Sequence, residues 1–265
     1  MNMPNNLKRL LLSALLLGSS LILSAINPKR EYSVPVERRG KNFEELQVET
    51  GDGFKINVWH LPSDGKGTPL IISESDAGNM GDWVYLGQFL QLYGIDVWLY
   101  DYRGFGSSSD FEIKRNQLFY QEFVSDLSAV ADYVHSRTQR IPCLMGISMG
   151  SLIVDELLKN TDIPVTTVVF DGYLSDPKVW VKRLKESGKS VSLPEGYTHS
   201  RPHREGIRSL YIVSEQDKFS LKKDIPRRKS KDTVIKTFNC GHIMAFWEDT
   251  MEYVSGIADF ILETQ

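Results

Sequence analysis

Apolar and polar positions along this chain fall into two alternating rhythms. Short apolar runs of strand length occur at 45–50, 54–61, 70–73, 95–100, 141–147, 165–170, 210–214 and 234–238. The first two are rich in β-formers and flank Gly51-Asp52-Gly53, a turn signal that predicts a hairpin. Later runs such as 167–170 are apolar throughout, which predicts strands covered on both faces. Between the runs the spacing becomes helical. Apolar residues at 119, 123, 127, 130 and 134 mark one face of a helix over 118–135. Segments 84–93, 148–158 and 246–262 repeat that pattern, and 177–186 predicts one short helix. Strands alternating with helices predict an α/β domain with a mostly parallel sheet.

The N-terminus follows neither rhythm. Lys8 and Arg9 precede an uncharged run over 10–28 whose centre is strongly apolar. Ser19, Ser20, Ser24 and Ala25 supply small residues near its end. A basic start, an apolar centre and small residues describe a signal peptide over 1–25. The run is also just long enough to span a bilayer, so an uncleaved anchor is the competing expectation. Either way the remainder is expected to work outside the cytoplasm, periplasmic, extracellular or anchored to the membrane. Pro28, Pro35 and several charges suggest a linker over 26–43, leaving 44–265 as one domain.

Composition narrows the function. The 265 residues carry 31 Lys+Arg and 34 Asp+Glu, a formal net charge of -3. Nucleic acid as the main partner needs a basic excess, which this chain lacks. Two cysteines exclude a disulfide-dense framework and a four-cysteine zinc site. No metal-ligand spacing or phosphate-binding glycine loop appears, so neither metal nor cofactor is expected.

The chemistry is concentrated at strand ends. Gly146-Ile147-Ser148-Met149-Gly150 follows one apolar run and opens a helix. A G-x-S-x-G at a strand–turn–helix junction lifts the serine hydroxyl above the sheet, with glycines where the chain passes close to itself. The N–H of Met149 is then placed to donate to an oxyanion. A serine needs a base to take its proton. Among five histidines, His242 stands in a loop between the last strand and the last helix. His60, His135, His199 and His203 lie where surface or packing roles are expected. Asp217 follows the strand 210–214 and is the candidate that orients His242; Asp171, at the end of the preceding strand, competes.

These features resemble the α/β-hydrolase superfamily over residues 44–264. Asp101-Tyr102-Arg103-Gly104-Phe105-Gly106-Ser107 is similar to its D-x-R-G-x-G-x-S turn. Asp76-Ala77-Gly78-Asn79 is similar to the end of the H-G-N-A-G-N oxyanion loop of small serine hydrolases. The order Ser148, Asp217, His242 is that of the superfamily's triad. The resemblance implies an eight-stranded sheet and a short cap over 173–206. It makes the N–H of Asp76 the second oxyanion donor beside Met149. Where relatives carry His-Gly-Asn, this chain carries Glu74-Ser75-Asp76. A carboxylate facing the developing oxyanion would oppose catalysis, so the Asp76 side chain is expected either to cap its own loop or to weaken the hole. Tyr173, Trp180, Trp83 and Phe105 are candidates to line an apolar pocket under the cap.

The function expected from these residues is hydrolysis of a small carboxylic ester or thioester through an acyl-enzyme on Ser148. A peptidase or amidase is the enzymatic alternative, and a non-catalytic membrane-tethered binding protein the non-enzymatic one. The basic run Lys222, Lys223, Arg227, Arg228, Lys229 and Lys231 reads as a solvated face or a contact with anionic lipid.

Overall fold

A computed structural model describes residues 25–40, 42–64, 67–161, 163–198, 206–226 and 232–263. Residues 1–24 of the expected leader, 199–205 of the expected cap and 227–231 of the basic run fall outside these residues. Eight strands form one sheet: β2 (Glu44–Glu49), β3 (Lys55–Leu61), β4 (Thr68–Ser73), β6 (Ile95–Tyr100), β7 (Cys143–Ile147), β8 (Thr167–Asp171), β9 (Arg208–Ser214) and β10 (Thr233–Phe238). Their order across the sheet is β10-β9-β8-β7-β4-β6-β3-β2. The β2–β3 and β3–β6 pairs are antiparallel, and every other pair is parallel.

The apolar strands acquire their continuous character from burial on both sides. In β6, Trp98 and Tyr100 enter one core while Val97 and Leu99 enter the other. In β9, Tyr211 and Val213 alternate with Leu210 and Ile212 in the same way. This is the two-residue period of a strand expressed between two hydrophobic layers. Helices α2 (Gln121–Thr138) and α3 (Met149–Asn160) cover the first core through Phe123, Leu127, Val130 and Ile153. Helices α1 (Val84–Leu92) and α6 (Thr250–Leu262) cover the second through Val84, Leu90, Val254 and Ile257. The apolar segment 246–262 is divided: α5 (Ala245–Glu248) ends before Asp249, whose side chain accepts the N–H of Glu252 and starts α6. The predicted cap helix is α4 (Pro177–Glu186), with Asp176 capping it through Lys178 N–H.

The segment expected to be a linker is packed instead. Ala25 and Ile26 are buried in the first core, and Val34 in the second. Asn27–Pro28 forms a short strand, β1, that pairs in parallel with β5 (Ala77–Gly78). Arg39 lies over the Trp59 ring at 4.1 Å and donates to Glu45. Backbone pairing and guanidinium stacking suit proline- and charge-rich sequence, which is why hydropathy alone suggested a tether. Among the described residues, no helix is long and apolar enough to cross a membrane.

Candidate active site

Between the end of β7 and the start of α3 stands a single residue, Ser148. Its backbone has φ 52° and ψ -113°, a left-handed conformation that a side-chain-bearing residue adopts only under constraint. The constraint is visible around it. Ser148 N–H donates to the Asp171 carbonyl at 2.8 Å, and its own carbonyl accepts the Ser151 hydroxyl at 2.6 Å. A Cβ on Gly150 would fall 2.1 Å from the Ser73 carbonyl oxygen, and one on Gly146 would fall 2.5 Å from Ser151 Cα. Only glycine fits at either position.

The turn places Ser148 Oγ 2.8 Å from His242 Nε2. His242 Nδ1 lies 2.6 Å from Asp217 Oδ2. Asp217 is 6% exposed, and its other oxygen accepts the Phe219 N–H at 2.7 Å. One oxygen is thus fixed by backbone and the other is left for the imidazole. The loops carrying Asp217 and His242 are joined by Gln216 N–H donating to the Cys240 carbonyl at 3.0 Å. Gly172 allows the ring to lie where it does, since a Cβ there would meet His242 Cε1 at 2.7 Å.

Asp171 makes no hydrogen bond to His242. Its Oδ2 accepts the Tyr253 hydroxyl at 2.8 Å, and its Oδ1 has no partner. Burial pushes this carboxyl up to about 6, against the opposing pull of Tyr253 and the His242 ring. A second acid therefore lies buried near the histidine without orienting it. Tyr253, on α6, is a site neighbour that the sequence reading passed over, because it belongs to an ordinary amphipathic helix face.

Met149 is the first residue of α3, so its N–H belongs to the unpaired first turn of a helix. Asp76 lies in the loop between β4 and β5. Its carboxyl is raised above the usual range by burial, opposed by Lys189, its own N–H and His242. The side chain is thus within electrostatic reach of the histidine. Glu74 is buried, neither of its carboxyl oxygens has a partner, and burial holds it well above the usual carboxylate range. Its carbonyl accepts the Tyr102 hydroxyl at 3.0 Å.

The turn over 101–107 braces this loop rather than entering the site. Asp101 Oδ1 accepts the Met80 N–H at 2.9 Å. Arg103 is fully buried and bridges Asp126 on α2 at 2.7 Å to Asp52 in the hairpin turn at 2.6 Å. Of the four aromatic candidates, Trp180 alone flanks the histidine, with ring centroids 6.2 Å apart. Phe105 and Trp83 belong to opposite cores, and Tyr173 donates to Asp155 at 2.7 Å. Phe219 completes the aromatic surround at 6.0 Å from the His242 ring. Its one sequence signal is that it stands two residues after Asp217. Ser148 itself has no solvent exposure. His60 stacks on Trp98 at 3.7 Å and bonds Asp96, and His135 bonds the Arg140 carbonyl, so both serve packing. His199 and His203 lie outside the described residues. Cys143 and Cys240 are both free and buried.

Comparison with known proteins agrees with this architecture. A family model described as serine aminopeptidase, S33, matches residues 77–200, which include Ser148 and end before Asp217 and His242. An uncharacterised membrane protein of Saccharomyces cerevisiae is 28% identical over 116 residues, 43% of this chain and 39% of that protein. An uncharacterised protein of Mycobacterium tuberculosis is 33% identical over 66 residues, 24% of each. The chain thus matches well under half the length of these relatives. Among solved structures, the Pyrococcus furiosus esterase Pf2001 superposes with a TM-score of 0.71 at 16% identity, over 90% of this chain and 97% of that one. A Xanthomonas campestris α/β serine hydrolase without a lid gives 0.61 at 13% identity, over 87% and 96%. Sheet order, turn geometry and structural neighbours agree, and the chain has the α/β-hydrolase fold.

Proposed function

We propose that this protein is a serine hydrolase that cleaves a carboxylic ester or thioester. The observation that carries the reading is the unbroken relay from Ser148 Oγ through His242 to Asp217, at 2.8 and 2.6 Å, on a strained turn. In this reading His242 takes the Ser148 proton as Oγ attacks the acyl carbonyl. Asp217 holds the ring and stabilises the imidazolium. The N–H groups of Met149 and Asp76 receive the oxyanion. Collapse expels the alcohol or thiol with the proton from His242, and water, deprotonated by the same ring, releases the acid. Because Ser148 is fully buried, the surrounding side chains must move aside for the acyl group to reach it.

The esterase among the structural neighbours supports an ester as substrate. The serine aminopeptidase description of the matching family supports amide cleavage as the second reading, since the same relay can protonate a leaving amine. We place the protein outside the cytoplasm, on the strength of the leader over 1–25. A C-terminal tag found on the cytoplasmic side would overturn that placement.

The test of the chemistry is a fluorophosphonate probe, which reacts only with an activated serine. It is expected to label the wild type and not Ser148→Ala, which should also lose hydrolysis of an activated ester while staying folded. Equal labelling of both would remove Ser148 from the mechanism. An unlabelled wild type would favour the non-catalytic binding protein.

A further inference from the structure

The oxyanion loop is held from outside by the first described residues of the chain. Asn27 N–H donates to the Asp76 carbonyl at 2.7 Å, and Lys29 N–H donates to the Gly78 carbonyl at 2.8 Å. Asn79 Nδ2 returns two bonds, to the Lys29 and Glu31 carbonyls at 3.2 and 2.8 Å. The same stretch is tied down on its far side. Ile26 is fully buried, and both Ala25 and Ile26 N–H groups reach the Arg115 carbonyl. Arg30 donates to the Phe105 and Ser108 carbonyls, and Gly106 N–H donates to the Lys29 carbonyl at 2.9 Å. The Tyr32 hydroxyl donates to Asp101 Oδ2, whose other oxygen holds Met80 N–H directly after the loop.

We propose that residues 25–32 are a positioning strap that sets the second oxyanion donor, the Asp76 N–H. The assignment rests on the serine-hydrolase reading above. The loop leaves β4 at Ser73 and crosses to the short 3-10 helix Met80–Trp83. Within it, Ser75 Oγ donates to the Ala77 carbonyl at 3.2 Å, and the Asp76 carboxyl interacts with its own N–H. Bonds to the carbonyls of residues 76 and 78 fix the peptide planes on the C-terminal side of Asp76, and β4 fixes its N-terminal side. A donor N–H is useful only when aimed at the place where the oxyanion forms. Displacements on the order of 1 Å cost catalysis roughly a hundredfold, and they do so without unfolding anything. A two-residue parallel pairing is a small structural element, yet it lies where small angular errors are amplified.

The strap acts through backbone donors, which suggests a paired test in the full-length protein. Asn27→Pro removes the N–H that holds Asp76. The residue lies in a two-residue edge strand, a setting in which proline is tolerated. Asn27→Ala keeps the N–H and removes only the side chain. Asn27→Pro is expected to lower kcat by about tenfold or more with KM within about twofold, and Asn27→Ala to stay near wild type. A trifluoromethyl ketone, which forms a tetrahedral oxyanion on the serine, should lose affinity in proportion to kcat in Asn27→Pro. Tyr32→Phe, which cuts the tie to Asp101, should show the same signature in smaller degree and carries the test if Asn27→Pro does not fold. Arg39→Ala, which loosens the packed segment beyond the strap, should lower Tm without changing the ratio of ketone affinity to KM. An active, probe-labelled wild type whose Asn27→Pro and Tyr32→Phe variants keep kcat and ketone affinity would overturn the strap alone. A wild type that neither labels nor hydrolyses would overturn the hydrolase reading and the strap with it.

Discussion

At the scale of residues, two of the carboxyl groups near the imidazole stand at or just past the ends of neighbouring strands, and their surroundings separate them. Asp217 faces Nδ1 at 2.6 Å, while Asp171 gives one oxygen to Tyr253 and leaves the other without a partner. Asp217→Asn should therefore cut kcat by about 10⁴, as ring orientation and tautomer control are lost. Asp171→Asn should cost far less, because its hydrogen bond to Tyr253 can be re-formed by an amide. Steady-state kinetics on one activated ester decide between them, and the reverse order would move the acid to β8. Asp76→Asn is expected to raise kcat/KM on a neutral ester, by up to about tenfold, by removing a negative charge close to the reacting centre. Paired neutral and cationic esters check this. A loss confined to the cationic ester would instead make Asp76 a substrate-binding group.

At the scale of elements, the turn at Ser148 is also the contact between α3 and the end of β4. Gly150 and the Ser73 carbonyl approach so closely that a methyl group cannot be inserted without moving the β4 backbone. Gly150→Ala should destabilise the protein by about 3 kcal/mol, the upper range for overpacking. That corresponds to a Tm drop of roughly 6–12 °C in a domain of this size. Because Ser73 leads directly into Glu74 and Asp76, kcat should fall at temperatures where the variant is still fully folded. Calorimetry and kinetics on the same preparation test both parts, and a folded variant with unchanged kcat would uncouple the turn from the loop. Elements of this kind were legible in the sequence because the G-x-S-x-G pattern carries its own steric reason. So were Asp217 and His242, each a polar residue in the loop that follows a strand. The β1–β5 pairing was not legible. It is made of backbone hydrogen bonds, and neither Asn27-Pro28 nor Ala77-Gly78 has a side-chain pattern that announces a strand. Phe219 and Tyr253 were missed for the opposite reason, since each resembles any other core aromatic.

At the scale of the whole molecule, buried acids make stability depend on pH. Glu74 and Asp171 hold their protons in the folded protein above the pH at which the unfolded chain releases them. Between those limits the folded state binds more protons, so stability falls as pH rises. For Asp171 the loss runs from the ordinary carboxylate range to about pH 6. For Glu74 it begins in the same range and extends higher, because both oxygens are sealed without partners. Glu74→Gln keeps the shape and removes the titration. Its Tm should exceed that of the wild type increasingly as pH is raised, with the two converging near pH 4. Parallel pH dependence in the two proteins would place a compensating partner beside Glu74.

The bond between Asn27 and Asp76 also sets a tether length. An extended chain advances at most about 3.6 Å per residue. The strongly apolar centre of the segment expected to be a leader ends at Leu23, four residues before Asn27. Four residues of fully extended chain reach roughly 14 Å. Asn27 can stand no farther than that from Leu23, and its N–H holds the Asp76 carbonyl 2.7 Å away. If the leader stays in a bilayer as an anchor, this leash is shorter than half the thickness of the membrane with its headgroups, which is about 40–45 Å overall. The loop over 74–79 would then be held within reach of the membrane surface. If the leader is removed after Ala25, the leash is cut and the same loop is free of the surface. Retention or removal of one peptide segment would thus decide whether this loop stays tied to a membrane surface.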